Sequence, residues 1–140
     1  MSPNTALRAY RKMDVESGVS SATPKQLIQM LLRGALGRIA QAKGHMERGE
    51  VAKKGEAIGW GISIIDGLRA SLNHEIGGEI STNLDRLYEY MSHQLLQANL
   101  NDDPELLDEV AALLQQIKEA WDSIPEDPVQ ARRLRQAAGQ

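Results

Sequence analysis

Three histidines are the residues of this chain best suited to metal binding or proton transfer, and their neighbours support neither. His74 opens the run His74-Glu75-Ile76-Gly77-Gly78, which begins like a zincin motif but lacks the second histidine at the fifth position. Glu89 lies one helical turn before His93, a spacing that favours a surface ion pair over a metal site. No histidine follows a glutamate by three residues, so the di-metal motif of helix bundles is absent.

Other catalytic and cofactor motifs are also missing from the sequence. Gly59-Trp60-Gly61 lies inside a helical pattern rather than between a strand and a helix, so it is not a dinucleotide loop, and there is no P-loop. Serine, histidine and acidic residues occur, but the sequence does not arrange them as a triad. We therefore predict that the protein is not an enzyme and uses no metal or cofactor.

Composition narrows the class of protein further. The chain has 140 residues, enough for one domain with its own core, and it has no cysteine for disulfide or thiol chemistry. Its net charge of −3, with both signs mixed, is not typical of a nucleic-acid binder. No apolar run has the length of a signal peptide or of a membrane span. These features predict a cytosolic protein that neither binds nucleic acid nor inserts into a membrane.

The helical pattern is organised around the stretch from Thr23 to Ala35. Thr23, Pro24 and Gln26 form a helix start, in which the threonine caps the helix and the glutamine completes a capping box. An apolar stripe then recurs at spacings of four and three, and further apolar residues widen it beyond what one neighbouring helix requires. The wide stripe indicates either a central core helix or a helix that also contacts a partner.

Three more amphipathic helices follow with short connections between them. We predict helices at about 24–47, 51–72, 80–100 and 104–124, which gives an all-α, antiparallel four-helix bundle about 30 Å long. Residues 1–22 are predicted to be an N-terminal arm, either with a short amphipathic helix of a turn or two or as a plain disordered tail, residues 23–124 the bundle, and residues 125–140 a flexible tail. With no phenylalanine in the chain, the core must be mainly aliphatic.

Glycines are unusually frequent in the first two predicted helices. Each costs about 0.5–1 kcal/mol relative to alanine in a helix interior, so the set costs roughly 4–7 kcal/mol. Two uses would offset this cost: close packing of the helices, or shallow grooves that accept apolar side chains of a partner. In either case we predict that the first two helices are less rigid than the fourth. The glycines are Gly34, Gly37, Gly44, Gly55, Gly59, Gly61 and Gly67.

The order and spacing of several motifs resemble one known family. Thr23–Ala35 resembles the signature A/S-x-P-x-x-L-I-x-M-L-Y-x-G-A of the flagellin-specific export chaperones, the FliS family. Later segments resemble its remaining helices in the same order: Lys54–Ile58, Ile64–Leu72, Gly77–Glu79, Leu87–Met91, Asp103-Pro104 and Leu107–Val110. The resemblance covers about residues 10–124. It departs at Leu32-Arg33, where the family commonly has Tyr-Asp, and the basic C-terminal segment has no counterpart.

The resemblance implies a cytosolic four-helix chaperone. Members of the family bind the C-terminal segment of flagellin, prevent its premature polymerisation and deliver it to the flagellar type III export apparatus. The resemblance also allows components of the export gate as further partners. In the family, an N-terminal arm that carries a tyrosine covers the binding surface until flagellin displaces it, and Tyr10 matches that tyrosine by position.

Apolar residues in excess of one stripe, taken with the motif positions, give a hypothesis for the partner surface. A core member replaced by alanine should lose about 2–5 kcal/mol of stability, whereas a surface contact should lose binding with little change in melting temperature. Some members of the set are expected to be core. The set is Tyr10, Leu27, Met30, Leu31, Leu87, Tyr88 and Met91.

Two other functions remain open from the sequence. A generic adaptor bundle that binds an unrelated helix would share every physical feature given above. A histidine phosphotransfer bundle would use His93, although Gln94-Leu95-Leu96 follows it in place of the usual Lys-Gly. Partner identity separates the chaperone from the adaptor, and a phosphorylated His93 would indicate the third class. The sequence does not determine the oligomeric state.

Overall fold

A computed structural model describes residues 22–125, which form four helices connected by short turns. We number the helices α1 (Pro24–Glu47), α2 (Val51–Ala70), α3 (His74–Asn101) and α4 (Pro104–Ser123). Each helix packs against two neighbours, in the cyclic order α1, α2, α3, α4, and the α1–α2 interface is the most extensive. Turns of two or three residues force consecutive helices to run antiparallel, and the described residues contain no strand. The predicted all-α four-helix bundle is confirmed.

The predicted start of α1 is confirmed in its atomic detail. The Gln26 amide donates to Thr23 Oγ1 at 3.0 Å, and the Thr23 amide donates to Gln26 Oε1 at 2.9 Å. Pro24 occupies the first helical position, where its missing N–H costs nothing. At the other end Gly49 adopts φ +70°, which allows the chain to turn directly into α2.

The predicted start of α3 at Ile80 is wrong, because the helix begins with an additional turn at His74. Asn73 caps this turn by accepting from the Ile76 amide at 3.1 Å, and Gly78 then breaks the helix with φ 50° and ψ −120°. A Cβ at Gly77 would lie 1.9 Å from Ser81 Oγ, so a side chain at that position would displace the hydroxyl that donates to the Asn73 carbonyl oxygen. The segment with Gly77 and Gly78 was predicted to separate two helices, but it forms a kink within α3.

The core is aliphatic, as predicted. Its most enclosed residues come from all four helices, and they include one aromatic side chain, Tyr88, at 2% exposure. Gly61 faces the core of the bundle, where an added Cβ would lie in van der Waals contact with Leu95 Cδ1, at 3.7 Å. The largest fully buried side chains are Tyr88, Leu31, Leu32, Ile58, Ile64, Ile65, Leu68, Met91, Leu95, Leu107, Leu114 and Val110.

The two ends of the bundle differ in the chain segments that they contain. We call the end with the turns at 48–50 and 102–103 the distal end, and the end with the turn at 71–73 the proximal end. Residues 22 and 125, where the described part of the chain begins and stops, both lie at the proximal end. The predicted arm and C-terminal tail therefore lie, apart from these two residues, outside the described range.

The helices within residues 22–125 are too short or too polar to span a lipid bilayer.

Candidate functional site

The histidines are separated in the structure. His45 Nδ1 lies 3.2 Å from Glu50 Oε1 at the distal end, whereas His74 and His93 are exposed at different places on α3. Between residues 22 and 125 no three or more histidine, cysteine, aspartate or glutamate side chains are grouped so that they could hold a metal ion.

The seven predicted partner residues fall into three groups. Leu31, Tyr88 and Met91 lie in the core with at most 2% exposure, and burial raises the pKa of the Tyr88 hydroxyl to about 12. Leu27, Met30 and Leu87 are half-buried. Tyr10 lies outside the described residues. Of the six described residues, only Leu27, Met30 and Leu87 have side chains that reach the surface.

An open edge runs along α1 and α2, beside two of the half-buried residues. Leu27, Met30 and Gly37 share the side of α1 that also carries Arg38, because residues three and four apart lie on one helix face. The Arg38 guanidinium lies 5.2 Å from the centre of the Trp60 ring on α2, in a cation–π contact. A Cβ at Gly37 would meet no atom within 4 Å, so this edge has free space.

A second open surface lies between α2 and α3, and the seven-residue hypothesis did not include it. Its α2 side carries Val51, Gly55, Gly59 and Ile62, at spacings that place them on one face, and its α3 side carries Leu96, Asn99 and Leu100. We call these seven residues the α2–α3 groove.

The apolar side chains of the α2–α3 groove are unusually exposed. Val51 is 69% exposed, Leu96 46% and Leu100 67%. A single exposed leucine needs no explanation, but several along one seam indicate an interaction surface. The spacing of these residues was visible in the sequence, but which face of each helix remains uncovered depends on where its two neighbours pack.

Glycines hold the α2–α3 groove open. A Cβ at Gly59 would meet no atom within 4 Å, and one at Gly55 would approach only the Asn99 side chain, at 3.9 Å. Neither glycine is therefore required for packing between α2 and α3. Their lack of side chains leaves space beside exposed Leu96 and Leu100, and the use of that space by a partner stays a prediction.

Toward the proximal end the seam between α2 and α3 becomes polar. Arg69 Nε donates to Asp85 Oδ1 at 2.8 Å and Arg69 Nη2 to Asp85 Oδ2 at 3.3 Å, a bidentate pair that lowers the pKa of Asp85. Glu89 Oε2 lies 3.8 Å from the same guanidinium. Asp66 lies one helical turn before Arg69, and burial raises the pKa of its carboxyl group.

Comparison with known proteins agrees with this architecture. The family model described as flagellar protein FliS matches residues 6–128 of the chain. The flagellar secretion chaperone FliSB of Pseudomonas aeruginosa is 51% identical over 119 residues, which cover 85% of this chain and 94% of that protein. The flagellar secretion chaperone FliS of Salmonella typhimurium is 50% identical over 121 residues, covering 86% and 90%.

A third relative extends the same result. The flagellar secretion chaperone FliS of Vibrio cholerae is 45% identical over 120 residues, which cover 86% of this chain and 88% of that protein. The matched region includes all four helices of the bundle and both open surfaces beside α2. The chain therefore belongs to the FliS family of flagellar secretion chaperones.

Proposed function

We propose that this protein binds the C-terminal segment of flagellin in the cytosol, prevents its premature polymerisation and delivers it to the flagellar type III export apparatus. The observation that carries the proposal is membership of the FliS family, whose relatives are named flagellar secretion chaperones. The proposed work is steric: the chaperone occupies an apolar face of its client so that other copies of the client cannot. It requires no catalytic group or cofactor.

The physical requirements of such a client match the surfaces on either side of α2. A segment that becomes ordered only on binding loses conformational entropy, and it must bury a long apolar surface to compensate. The α2–α3 groove offers exposed Val51, Leu96 and Leu100 beside two glycines, and the α1–α2 edge offers Leu27 and Met30. Such surfaces suit helix-in-groove recognition, in which apolar side chains of an amphipathic helix enter a groove.

The residue assignments of the proposal combine the sequence hypothesis with the groove. Leu27, Met30 and Leu87 contact the client directly, and Tyr10 of the arm occupies the same surface until the client displaces it. Leu31, Tyr88 and Met91 hold those surfaces in place from the core. Residues of the α2–α3 groove extend the contact along the second face of α2. Components of the export apparatus are further proposed partners, reached after the client is bound.

Calorimetric titration with a peptide of the C-terminal segment of flagellin from the same organism tests the proposal. We expect one-to-one binding at micromolar or tighter affinity, with a clearly negative heat-capacity change from buried apolar surface. The absence both of heat and of a complex on a sizing column would overturn the chaperone assignment and favour the generic adaptor.

Two matched variants then test whether the α2–α3 groove takes part. Gly59→Gln places a side chain in the groove, where its Cβ meets no atom within 4 Å, whereas Ala112→Gln places the same side chain at an exposed position of α4, away from both open surfaces. Gly59→Gln should leave the melting temperature equal or higher, because glycine is a poor helix former, and Ala112→Gln should leave it nearly unchanged. We expect Gly59→Gln to weaken peptide binding and Ala112→Gln to leave it unaltered. Equal affinities of the two variants would remove the groove from the proposed binding surface.

A further inference from the structure

The start of α3 carries the two most exposed large apolar side chains of residues 22–125. Ile76 is 86% exposed and Ile80 is 71% exposed, and they flank the kink at Gly78. Two exposed glutamates, Glu75 and Glu79, stand beside them in the chain. We call Glu75, Ile76, Glu79 and Ile80 the proximal patch, and it shares no residue with the α2–α3 groove or with the edge of α1 and α2.

The proximal patch is uncovered on one side because α3 is longer than α4. The two helices are antiparallel and are joined by a short turn, so an equal rise per residue places Ser123, the last residue of α4, roughly level with Thr82. Residues 74–81 of α3 therefore extend past the end of α4. The chain leaves the bundle at this level, and the Lys25 ammonium fixes the exit by donating to the Ile124 carbonyl oxygen.

We propose that residues 126–140 fold back on the proximal patch, cover its isoleucines and pair their arginines with its glutamates. Val129 and Leu134 are the two large apolar residues of this segment. An extended chain spans about 3.3 Å per residue, so Val129 can lie about 13 Å from residue 125, whereas packed helix axes are about 8–10 Å apart. The sequence alone predicted a flexible tail here, and the uncovered patch beside its start is the observation that favours docking.

The two carboxylates of the proximal patch are unpaired within residues 22–125, where neither Glu75 nor Glu79 forms a salt bridge. Two basic residues near the patch act on another carboxylate instead. The hydrogen bond from Arg69, and to a smaller extent the charge of His74, lower the pKa of Asp85. A basic segment that reaches the patch is therefore complementary to two negative charges.

Residues 126–140 carry both kinds of group that complement the patch. Their acidic residues, Glu126 and Asp127, come first, next to the exit from α4, and every charged side chain after them is an arginine. The arm before residue 22 is less well placed, because it leads into α1, which lies across the bundle from α3. The family model ends at residue 128, so the arginines lie outside the match. They are Arg132, Arg133 and Arg135.

Paramagnetic relaxation in the full chain tests the docking. The chain has no cysteine, so Gln136→Cys can carry a single nitroxide while the isoleucine methyl groups are observed by NMR. We expect the label to broaden the methyl signals of Ile76 and Ile80 at least twofold more than that of Ile28, which lies near the same end of the bundle on α1. Equal broadening of all three would show a segment that moves freely about its exit and would overturn the inference.

Matched charge variants of the labelled chain test the pairing. Glu75→Gln combined with Glu79→Gln should at least halve the selective broadening. The control is Glu56→Gln combined with Glu119→Gln, two exposed positions on α2 and α4, and it should leave the broadening unchanged. If the two pairs of changes have equal effects, the glutamates of the patch do not hold the segment and the inference fails.

A thermal double-mutant cycle tests the apolar contact. Ile76→Ser with Ile80→Ser should lower the melting temperature by roughly 4 °C, and Val129→Ser with Leu134→Ser should lower it by a similar amount. All four changes together should cost no more than either pair, because both pairs remove the same contact. Melting temperatures that the tail pair leaves unchanged, or effects that add, would contradict docking.

Two further labelling experiments identify any other occupant of the patch. Isotope-labelled chains without a nitroxide, mixed with spin-labelled chains, should keep sharp Ile76 and Ile80 signals, because the proposed contact lies within one molecule. Broadening in that mixture would assign the patch to a second copy. Selective broadening from a nitroxide at Ser2→Cys, without any from Gln136→Cys, would assign it to the N-terminal arm. Either result would overturn the inference.

Discussion

Lys54 is the one lysine enclosed within the described part of the bundle, with its side chain 5% exposed. Its ammonium group donates to the Asn99 carbonyl oxygen at 3.0 Å and pairs with Asp102, so it caps the last turn of α3. Asp102 itself adopts φ 48° and ψ 48°, a left-handed conformation that is uncommon for a residue other than glycine. The lysine therefore stabilises both the Asn99 carbonyl group of α3 and the turn that follows.

Replacement of Lys54 by methionine should show how much this cap contributes to the free energy of unfolding. Methionine keeps most of the packing of the lysine stem but leaves the Asn99 carbonyl without its donor, so we expect a loss of about 1–2 kcal/mol in the free energy of unfolding. Urea denaturation measures it. Lys53→Met is the control, because Lys53 is 67% exposed and its loss should cost less than about 0.5 kcal/mol. Equal effects of the two changes would contradict the capping role.

Glu50 links stability to pH at the distal end. Hydrogen bonds from Arg48 and His45 lower the pKa of its carboxyl group from the ordinary 4.5 to about 2. Because the folded-state pKa is depressed, the stabilisation is fully present above about pH 4.5 and is lost as the pH falls toward about 2. We expect Glu50→Gln to melt below the natural protein at pH 7, and the difference to disappear between pH 4.5 and 2. A difference that persists at pH 2 would show that the charge is not its cause.

At the scale of elements, helix propensity and burial have opposite effects on the local stability of α2. The low helix propensity of its glycines predicts that α1 and α2 are less rigid than α4. The structure, however, encloses α2 between α1 and α3, with nine buried residues along it against three along α4. Local stability depends on burial as well as on helix propensity.

Amide hydrogen exchange decides between these arguments. We expect the amides around Ile64, Ile65 and Leu68 of α2 to exchange more slowly than those around Leu107 and Leu114 of α4, because opening α2 exposes more apolar surface. The distal turn of α2, where Val51, Ala52 and Lys53 are exposed, serves as an internal reference that should exchange quickly. Faster exchange in the middle of α2 than in α4 would show that the glycine cost outweighs burial.

At the scale of the whole molecule, the N-terminal arm is proposed to compete with the client for the binding surface. The family resemblance implies that the arm covers the binding surface, and the described chain begins at the proximal end beside Leu27 and Met30. An arm that competes for the surface lowers the apparent affinity by the fraction of molecules in which the surface is uncovered.

Removal of residues 1–20 should therefore tighten binding of the flagellin peptide. Calorimetry measures the change, and removal of residues 126–140 serves as a control that should leave the Kd unaltered. Tyr10→Ala should reproduce part of the gain if Tyr10 anchors the arm. Weaker binding after the deletion would mean that the arm contributes contacts to the client instead of competing with it.

The sequence by itself determined the helices and their order. The capping box of Thr23, the proline starts of α1 and α4 and the apolar stripes are local signals, so their consequences could be predicted from residues near one another in the chain. The motifs from Thr23 to Val110 likewise identified the family, because their order and spacing can be recognised in the sequence without knowledge of how the helices pack. The additional turn at the start of α3, from His74, was not predicted, because it depends on the non-helical backbone angles that Gly78 adopts.

The tertiary structure decided which apolar residues are core and which are open to a partner. Leu27 and Leu31 look alike in the sequence, one turn apart, yet Leu31 is fully buried and Leu27 is not. Periodicity defines a stripe on each helix, but only the positions of both neighbouring helices define how much of that stripe is covered. For the same reason the α2–α3 groove and the Arg69–Asp85 pair emerged only when residues far apart in the chain were brought together across α2 and α3.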